Sequence, residues 1–514
     1  MLDHALIRSE PERVARALAR RGVTAEAVEV ALQLDQRWTQ RDGVREALRH
    51  RRRRASEEVA RARTDGRDAS ELEAAGRQVA DELAAIEAEM ADLEARRAAA
   101  LAALPNLPAT DAPDKAVEPA VSPEPAVSPE PAVSFDPAGP CEPAAAFEPA
   151  GPCEPAAPSD PAAPFQPAGP FEPAAGAAGY PRTTPPWPKP FAPLPHWDLV
   201  ELLHLASTAG SAGHGFLIWR GGGARLIRAL VNFMLDVHAR EFGYEEVRAP
   251  AVATRAALAG SAHLPLLEDK MYAVADRARE PAVPAPEPVV PAPEPAAQVE
   301  PAASFEPAAE AAGHSQTSQD LFLAPRAEPH LANLYAGEIL DAARLPVRLT
   351  CAGPAFRREA GGGRGLLRLH QFDTVELYTF AAPEQEEEEL ARAVRAAETI
   401  LERLGVPHRR RLRPAPRLSH AAAKTIDLEV WAPGMNEWLA VAALSTFTDY
   451  QARRTDTRYR DAAGRARLVH TLGGAAVALP HLVAALLENG QEADSTVRLP
   501  PALEPYFGAA EIHG

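Results

Sequence analysis

Cysteine is scarce in this chain, with only Cys141, Cys153 and Cys351 among 514 residues. So few cysteines argue against a disulfide framework, and no two of them have the spacing of metal ligands. A long uncharged apolar run is also missing, so no membrane-spanning helix is expected. The first residues, MLDHALIRSEPERV, lack the basic and apolar regions of a secretory signal. These absences predict a soluble, cytoplasmic protein without a membrane partner.

An excess of positive charge is the next absence. The chain carries 54 Lys and Arg against 71 Asp and Glu, which gives a formal charge of −17 at pH 7. This balance excludes a uniformly basic nucleic-acid-binding protein, although it leaves room for a local basic surface.

Proline, by contrast, is abundant, and its 52 residues are concentrated in two segments. Residues 109–194 repeat units such as EPAVSPEPAVSPEPAVS, and residues 276–318 contain EPAVPAPEPVVPAPEP. Both are predicted to be disordered, because proline lacks a backbone donor and the units carry few large apolar side chains. We interpret them as inert spacers; the alternative is a proline-rich ligand for a protein partner. They leave an N-terminal piece, 1–108, and a C-terminal piece, 195–514.

The N-terminal piece has the apolar spacing of a coiled coil. A facing helix is predicted over residues 34–59, and the turn formers of residues 64–68 separate it from the main seam. Two long antiparallel helices that form a projecting arm are therefore expected. The main seam recurs at steps of three, four or seven, through Leu72, Val79, Leu83, Ile86, Met90, Leu93 and Leu104.

The first helix of this arm is unusually rich in arginine. A stripe of arginines can follow phosphates through charge and paired hydrogen bonds, and without aromatic residues it would read backbone and shape. The alternative is an ordinary solvated helix face. The arginines concerned are Arg37, Arg41, Arg45, Arg49, Arg51, Arg52, Arg53, Arg54, Arg61 and Arg63.

The C-terminal piece alternates apolar helices with short strands, which predicts an α+β domain. A helix is expected over 226–238, ending near Gly243, and strands are expected at 345–349 and 373–378. The segment GGAAVALPHLVAALLENGQ, residues 473–491, is predicted as one apolar helix with a proline in an early turn.

Taken together, these pieces resemble the seryl-tRNA synthetases, which are class II aminoacyl-tRNA synthetases. The opening MLDHALIRSEPERVARALARRG and the sequence LPNLP resemble the start and end of the family's arm. GGGARLIRALVNFMLDVHAREFGYEEVRAP (221–250) is similar to motif 1, the dimer motif, and FRREAGGGRGLLRLHQFDTVEL (356–377) to motif 2. AAAKTIDLEVWAPG, FTDYQARR and LVHTLGG with LLENGQ complete the match.

The resemblance implies a coiled-coil arm that holds the long variable arm of a tRNA. It also implies an antiparallel catalytic sheet flanked by helices, and a homodimer. The family's reaction activates serine with ATP and Mg²⁺ and transfers it to tRNA. By resemblance, the tRNA contacts fall on Arg49, Arg51, Arg52, Arg53 and Arg54.

Several site residues keep the family's pattern. By resemblance, Arg357 grips the α-phosphate, and Glu359 and Phe372 lie on the adenine side. Glu376 receives the ammonium group of the amino acid, and Glu328 belongs to the same amino-acid pocket. The DLE stretch, with Asp427 and Glu429, is also kept.

Other positions depart from the family's pattern. His481 occupies the position of the motif 3 arginine that clamps the terminal phosphate. A histidine is not permanently charged and cannot donate two parallel hydrogen bonds to a phosphate. Ala440 stands for the metal-holding glutamate, so no metal site is expected. Arg326 stands for the threonine that touches serine, and Gly473 for an asparagine. Ala442 and Ala443 replace serines, and the motif 2 loop, residues 359–365, is about four residues shorter.

These departures predict a synthetase-like protein whose serine activation is lost or severely weakened, with tRNA or partner binding retained. ATP and Mg²⁺ would be cofactors only if it were active. One alternative is a working serine–tRNA ligase with a rearranged site. Another is an ATP-dependent ligase that loads a different acyl substrate onto a carrier. We further expect Arg326 to form a paired salt bridge with Glu376 and so to occupy the place of serine.

Overall fold

The computed structural model describes residues 1–65, 67–115, 189–208, 212–274, 320–359 and 365–514. Most of the proline-rich segment 109–194 and all of 276–318 lie outside these residues, so the expectation of disorder concerns a part of the chain that the structure does not describe.

The described residues contain twelve α-helices, and none of them combines the length and apolar character that a bilayer crossing demands. They are α1 (His4–Ser9), α2 (Pro11–Ala19), α3 (Ala25–Thr64), α4 (Ser70–Ala103), α5 (His196–Leu202), α6 (Gly221–Phe242), α7 (Arg255–Gly260), α8 (Glu328–Ala332), α9 (Glu386–Arg403), α10 (Ala452–Thr455), α11 (Leu479–Gly490) and α12 (Glu504–Phe507).

The predicted arm is formed by α3 and α4, which run for 40 and 34 residues. The side chain of Thr24 accepts a hydrogen bond from the backbone of Ala27 and so caps the start of α3. Between the two helices, Leu48, Val79 and Leu83 form a buried cluster. The expected helical arm is therefore confirmed, with α3 ending at Thr64 and α4 beginning at Ser70.

A buried ion pair joins the two helices near the base of the arm. Arg97 of α4 donates from Nε to Oδ1 of Asp35 in α3 at 2.8 Å, and the guanidinium lies 4.4 Å from the ring centre of Trp38. Arg8 of α1 approaches the other carboxylate oxygen of Asp35 at 3.1 Å. The first helices thus pack against the base of the arm rather than extending along it.

Seventeen strands are present in the described residues. They are β1 (Ala206–Thr208), β2 (Leu217–Trp219), β3 (Glu245–Val247), β4 (Val252–Thr254), β5 (Ala273–Val274), β6 (Leu321–Leu323), β7 (Ile339–Asp341), β8 (Val347–Phe356), β9 (Gln371–Ala381), β10 (His408–Leu412), β11 (Lys424–Ala432), β12 (Glu437–Thr448), β13 (Arg458–Arg460), β14 (Ala466–Leu468), β15 (His470–Ala478), β16 (Val497–Arg498) and β17 (Glu511–Ile512).

Seven of these strands form the central sheet, in the order β10-β11-β12-β15-β9-β8-β3. Every neighbouring pair is antiparallel except β3 and β8, which run parallel. One face of the sheet packs on α6, α9 and α11 through a large apolar core that includes Leu230, Ile400 and Leu482. On the opposite face a second buried cluster covers Leu349 and Phe380, and the rest of that face is left to form the site. The α+β fold class is confirmed.

The prediction of a single helix over 473–491 was wrong. Residues up to Ala478 belong to β15, which lies in the middle of the central sheet between β12 and β9, and α11 begins only at Leu479. Pro480 lies in the first turn of α11, where its missing N–H leaves no hydrogen bond unmade. The apolar run could not distinguish a buried strand from a buried helix.

The far end of α11 is fixed by a buried carboxylate. Glu488 is fully buried, and its Oε1 accepts a hydrogen bond from the backbone N–H of His196 at 2.8 Å. Its Oε2 accepts from the backbone of Gly434 at 2.7 Å and of Met435 at 3.1 Å. Two separate segments are thereby tied to this helix.

Candidate functional site

A cavity of about 350 Å³ lies on the open face of the central sheet. The first turn of α11 and the segment that follows β6 close its sides. Most of the predicted site residues line it together: Arg326, Arg357, Phe372, Glu376, Ala440, Ala442, Ala443 and His481. Segments that are distant in the sequence therefore meet around one cavity.

The first side of the cavity, which we call the polar wall, consists of Arg357, Phe372, Thr374 and Glu376 from the end of β8 and from β9. The backbone N–H of Arg357 donates to the carbonyl of His370 at 2.9 Å, which holds the two strand ends together. The guanidinium of Arg357 forms an ion pair with Glu359 and is 54% exposed. Phe372 is half-buried.

Glu376 is the acidic residue of the polar wall, and only 1% of its surface is exposed. Its Oε2 accepts a hydrogen bond from the backbone N–H of Glu328 at 2.9 Å. Its Oε1 has no hydrogen-bond partner among the residues that the structure describes. Burial raises the pKa of the Glu376 carboxyl to about 7, although the nearby charge of Arg326 lowers it. Near neutral pH the carboxyl therefore exchanges between two charge states.

Arg326 lies between two buried carboxylates. Its Nη1 is 3.3 Å from Oε2 of Glu328, and its Nε is 3.9 Å from Oε1 of Glu376. The other oxygen of Glu328 accepts from Nε2 of Gln451 at 2.8 Å. The expected paired salt bridge with Glu376 is therefore absent: the nearer partner is Glu328, and Glu376 is approached through a single nitrogen. The guanidinium nevertheless lies beside Glu376 in the cavity.

Gly473 contributes backbone rather than a side chain. It lies buried on β15 opposite Tyr378, and a Cβ atom at this position would be 2.3 Å from the carbonyl oxygen of Leu377. The close approach of the two strands explains why no larger residue fits this backbone.

The second side of the cavity, which we call the alanine wall, consists of Ala440, Ala442 and Ala443 of β12 and Ala475 and Ala478 of β15. His481, at the start of α11, closes its end. The Nδ1 of His481 donates to the carbonyl oxygen of Ala440 at 2.7 Å, and its Nε2 is 3.4 Å from the carbonyl of Leu367. The ring is thus held by backbone carbonyls.

The residues of the alanine wall do not fit a metal ion. Mg²⁺ requires oxygen ligands in octahedral geometry, and a methyl group supplies none. Among the described residues, no three His, Cys, Asp or Glu side chains come together as a metal cluster.

A row of arginines that the motifs did not predict lies on and just beyond the edge strand β10. Arg409 pairs with Glu429 at 2.6 Å, and Arg411 pairs with the same carboxylate at 3.3 Å. Arg413, just beyond β10, pairs with Asp427 through Nε at 3.0 Å. Both acids of the DLE stretch are consequently held by arginines.

Arg413 also lines the cavity and provides the cavity with a cation that no motif predicted. A signal was present in the sequence. Arg409, Arg411 and Arg413 alternate with the period of a strand, and Asp427 and Glu429 alternate in the same way. Pairing the two segments as neighbouring strands would have brought the charges together.

On the arm, the predicted arginines fall into two groups. Arg49 pairs with Glu46 and Glu87 at 3.1 and 2.9 Å, and Arg51 lies 3.6 Å from Glu82. Arg54 lies 3.9 Å from Glu58. Arg52 and Arg53 are exposed and make no ion pair with a residue that the structure describes. The stripe is therefore partly neutralised by α4, and its middle is not.

Comparison with known proteins identifies two family models. Residues 1–108 match the seryl-tRNA synthetase N-terminal domain, and residues 310–490 match the tRNA synthetase class II core domain of the G, H, P, S and T enzymes. The serine–tRNA ligase of Gemmatimonas aurantiaca is 36% identical over 526 residues, and the match covers 100% of both chains. That of Pelotomaculum thermopropionicum is 33% identical over 522 residues, covering 99% of each.

Solved structures agree with this assignment. The seryl-tRNA synthetase from Pyrococcus horikoshii, solved in complex with ATP, has a TM-score of 0.73 and 26% identity, over 100% of this chain and 99% of that one. The cytoplasmic serine–tRNA ligase from Naegleria fowleri has the same fold, with a TM-score of 0.69 and 20% identity over 100% and 98% of the chains. This chain belongs to the seryl-tRNA synthetase family.

Proposed function

We propose that this protein is a seryl-tRNA synthetase homologue in which serine activation is lost or severely weakened, while binding of tRNA through the arm is retained. The observation that carries the proposal is the contact between His481 and Ala440. By resemblance, these positions belong to the phosphate-clamping arginine and the metal-holding glutamate. Here they form a hydrogen bond between an imidazole and a backbone carbonyl at 2.7 Å.

The chemistry of activation explains why this exchange matters. A carboxylate attacks the α-phosphorus of ATP, so the site must neutralise the phosphates and hold a metal in a fixed geometry. Arg357 and Phe372 are suited to the α-phosphate and adenine. The alanine wall offers no charge or ligand for the remaining phosphates. We therefore assign no step to Mg²⁺ in this protein.

The amino-acid side of the cavity supports the same conclusion. The Nε of Arg326 lies 3.9 Å from Glu376, the acid that would otherwise receive an ammonium group. A resident cation beside that acid repels a second cation. An amino acid would have to displace Arg326 toward Glu328 before it could bind.

Arm binding and dimerisation rest on different parts of the chain. The exposed Arg52 and Arg53 suit a phosphate backbone, and a tRNA with a long variable arm is the proposed ligand. The proposed homodimer forms through motif 1, whose helix α6 runs for 22 residues and ends in a left-handed cap at Gly243. Light scattering at micromolar concentration should give the mass of a dimer; a monomer would contradict this part.

Serine-dependent ATP–pyrophosphate exchange tests the central proposal. The purified full chain should give a rate close to that of a serine-free control. The same preparation should bind a long-variable-arm tRNA, which separates an inactive site from an unfolded protein. Robust exchange would overturn the proposal.

A working serine–tRNA ligase with a rearranged site is the second candidate. The presence of Arg413 in the cavity favours it, because this guanidinium supplies a cation to a site from which the motif 3 arginine is missing. Exchange that depends on both serine and Arg413 would support this candidate over the first.

A further inference from the structure

Arg413 lines the cavity, and one edge of its guanidinium is unused. A guanidinium group can bind two planar acceptors, because its five N–H groups are arranged on separate edges. Asp427 occupies the edge formed by Nε and Nη2, with Nε at 3.0 Å from Oδ2. Among the described residues, nothing accepts a hydrogen bond from Nη1. The backbone N–H of Arg413 donates to Thr425 at 2.9 Å, which fixes the base of the side chain.

Apolar surface adjoins this edge. Asp427 lies directly opposite Ala443 in the pairing of β11 with β12, so the ion pair borders the alanine wall. Leu366, Leu367 and Leu369 line other parts of the same cavity. A ligand that reaches Arg413 therefore contacts methyl groups over the rest of its length.

The charges of the cavity limit the ligand to a small negative charge. Arg413 is balanced by Asp427, and Arg357 by Glu359. Arg326 is shared by two carboxylates. No surplus of positive charge remains for a polyphosphate, and no metal cluster is found in the described residues. A monoanion can still form two parallel hydrogen bonds with the guanidinium of Arg413, because an arginine paired with one carboxylate keeps two further N–H donors in the same plane.

We propose that the cavity binds a short aliphatic carboxylate. The carboxylate group accepts two hydrogen bonds from the Nη1 and Nη2 edge of Arg413, and the hydrocarbon part lies on the alanine wall. Asp427 acts as a positioning residue, because it holds the guanidinium with its unused edge toward the cavity. The inference rests on the proposed function, since it assigns a ligand to a site that has lost serine activation.

Two features set the expected selectivity. A neutral alcohol of the same length cannot form an ion pair with the guanidinium of Arg413, so it should bind at least about tenfold more weakly than the carboxylate. A shorter acid buries fewer methylenes, and the loss of two should weaken binding by about tenfold. A phosphate ester would bring a second negative charge close to Asp427, so it should bind more weakly than the carboxylate.

The experiment titrates the full chain with butyrate, acetate, 1-butanol and butyl phosphate, using calorimetry or ligand-observed NMR. Butyrate should bind most tightly of the four. If 1-butanol or butyl phosphate binds as tightly as butyrate, or if butyrate does not bind, the assignment is wrong.

Matched variants locate the site. Arg413→Gln should weaken butyrate binding by about tenfold or more. Arg411→Gln is the control, because Arg411 has nearly the same exposure (28% against 26%), pairs with an acid of the same strand, and does not line the cavity. Equal effects of the two substitutions would contradict the proposal.

Ala443→Leu provides a test that leaves the ion pair in place. The larger side chain fills the space for the hydrocarbon part, so butyrate affinity should fall while circular dichroism stays unchanged. Unchanged butyrate affinity would show that the alanine wall does not contact the ligand. Serine-dependent exchange is measured separately on the same samples. A positive exchange result defeats the proposed function, whereas a failed butyrate titration defeats only this inference.

Discussion

The polar wall and the alanine wall belong to the same sheet and face the same cavity, but they differ in what they carry. The polar wall keeps a cation, an aromatic ring and a buried acid in Arg357, Phe372 and Glu376. The alanine wall presents methyl groups, and its strands carry register shifts at Leu428/Glu429 and Ala475/Val477, whereas β8 and β9 pair without a shift. The difference teaches that the sheet keeps its strand order even where one side of the cavity carries no charged group.

The packing of the opposite face explains why. Successive side chains of a strand point to opposite faces, so the core depends on alternate residues. Leu428, Leu444 and Val477 are fully buried among the helices behind the sheet. Ala440, Ala443, Ala475 and Ala478 lie outside this core, whereas Ala442 is part of it. The apolar core and the cavity therefore depend mostly on different residues of the same strands.

The strongest test of this comparison rebuilds the alanine wall. Ala440→Glu, His481→Arg and Arg326→Thr together should raise serine-dependent pyrophosphate exchange by about a hundredfold or more, because each restored electrostatic group typically accelerates such steps by about 10²–10³. His481→Arg alone should rescue little, since the metal still lacks its carboxylate.

The control for this rebuilding replaces Ala440→Glu by Ala440→Gln in the triple variant. Glutamine has nearly the same size but lacks the charge that a divalent ion requires. If both triple variants stay at the wild-type rate, the alanine wall is not what limits the reaction.

A second test uses the raised pKa of Glu376. Its carboxyl titrates at about 7 when folded and at about 4.5 when unfolded, so the native state binds a proton more tightly. The stabilisation from that proton is complete below about pH 4.5 and is lost as the pH rises to about 7. Relative to Glu376→Gln, the wild type should therefore lose up to about 3 kcal/mol of unfolding free energy over this range.

Chemical denaturation at several pH values gives this difference directly. Thr374→Val serves as the comparison, because it alters the same wall without removing a titratable group. A difference between wild type and Glu376→Gln that does not change with pH would show that the carboxyl has an ordinary pKa.

A third test asks whether Arg326 balances the buried acids. Arg326→Thr should lower the unfolding free energy by about 2 kcal/mol, less than the 3–5 kcal/mol of a fully buried pair, because a third of the Arg326 side chain is exposed. Adding Glu376→Gln should recover much of this loss. A double variant no more stable than the single one would mean that Arg326 does not compensate Glu376.

The smallest effect is expected on the arm, which allows a comparison within one helix. Arg52→Gln with Arg53→Gln should weaken binding of a long-variable-arm tRNA by about tenfold at low salt and reduce the salt dependence by about two phosphate contacts. Arg41→Gln with Arg49→Gln removes the same charge but also releases Glu89 and Glu87 of α4. This control should have a smaller effect on the salt dependence. The same change for both pairs would indicate a solvated face.

Much of the architecture could be predicted from the sequence, because it depends on patterns of local period. The seam of α3 and α4 and the amphipathic helix α6 with its terminal Gly243 are examples. The boundary between β15 and α11 could not be read in this way, since GGAAVALP is apolar throughout and lacks a period.

The resemblance predicted several of the residues that line the cavity, but it did not predict which of them form ion pairs. Arg326, Glu376 and His481 were placed in one site by resemblance, and they line one cavity. The preference of Arg326 for Glu328 depends on the backbone turn before α8, which no spacing rule describes. Arg413 was missed because the charges of HRRRLRPAPR resemble a solvated run until β10 is aligned with β11.

The anchoring of α11 by Glu488 has a consequence for engineering. The helix is pinned at its far end by contacts to His196, Gly434 and Met435, so its first turn is held at a constant height above the sheet. Any side chain introduced at position 481 should therefore project into the same space, whatever its chemistry. Different side chains could therefore be screened at position 481 without redesigning the backbone.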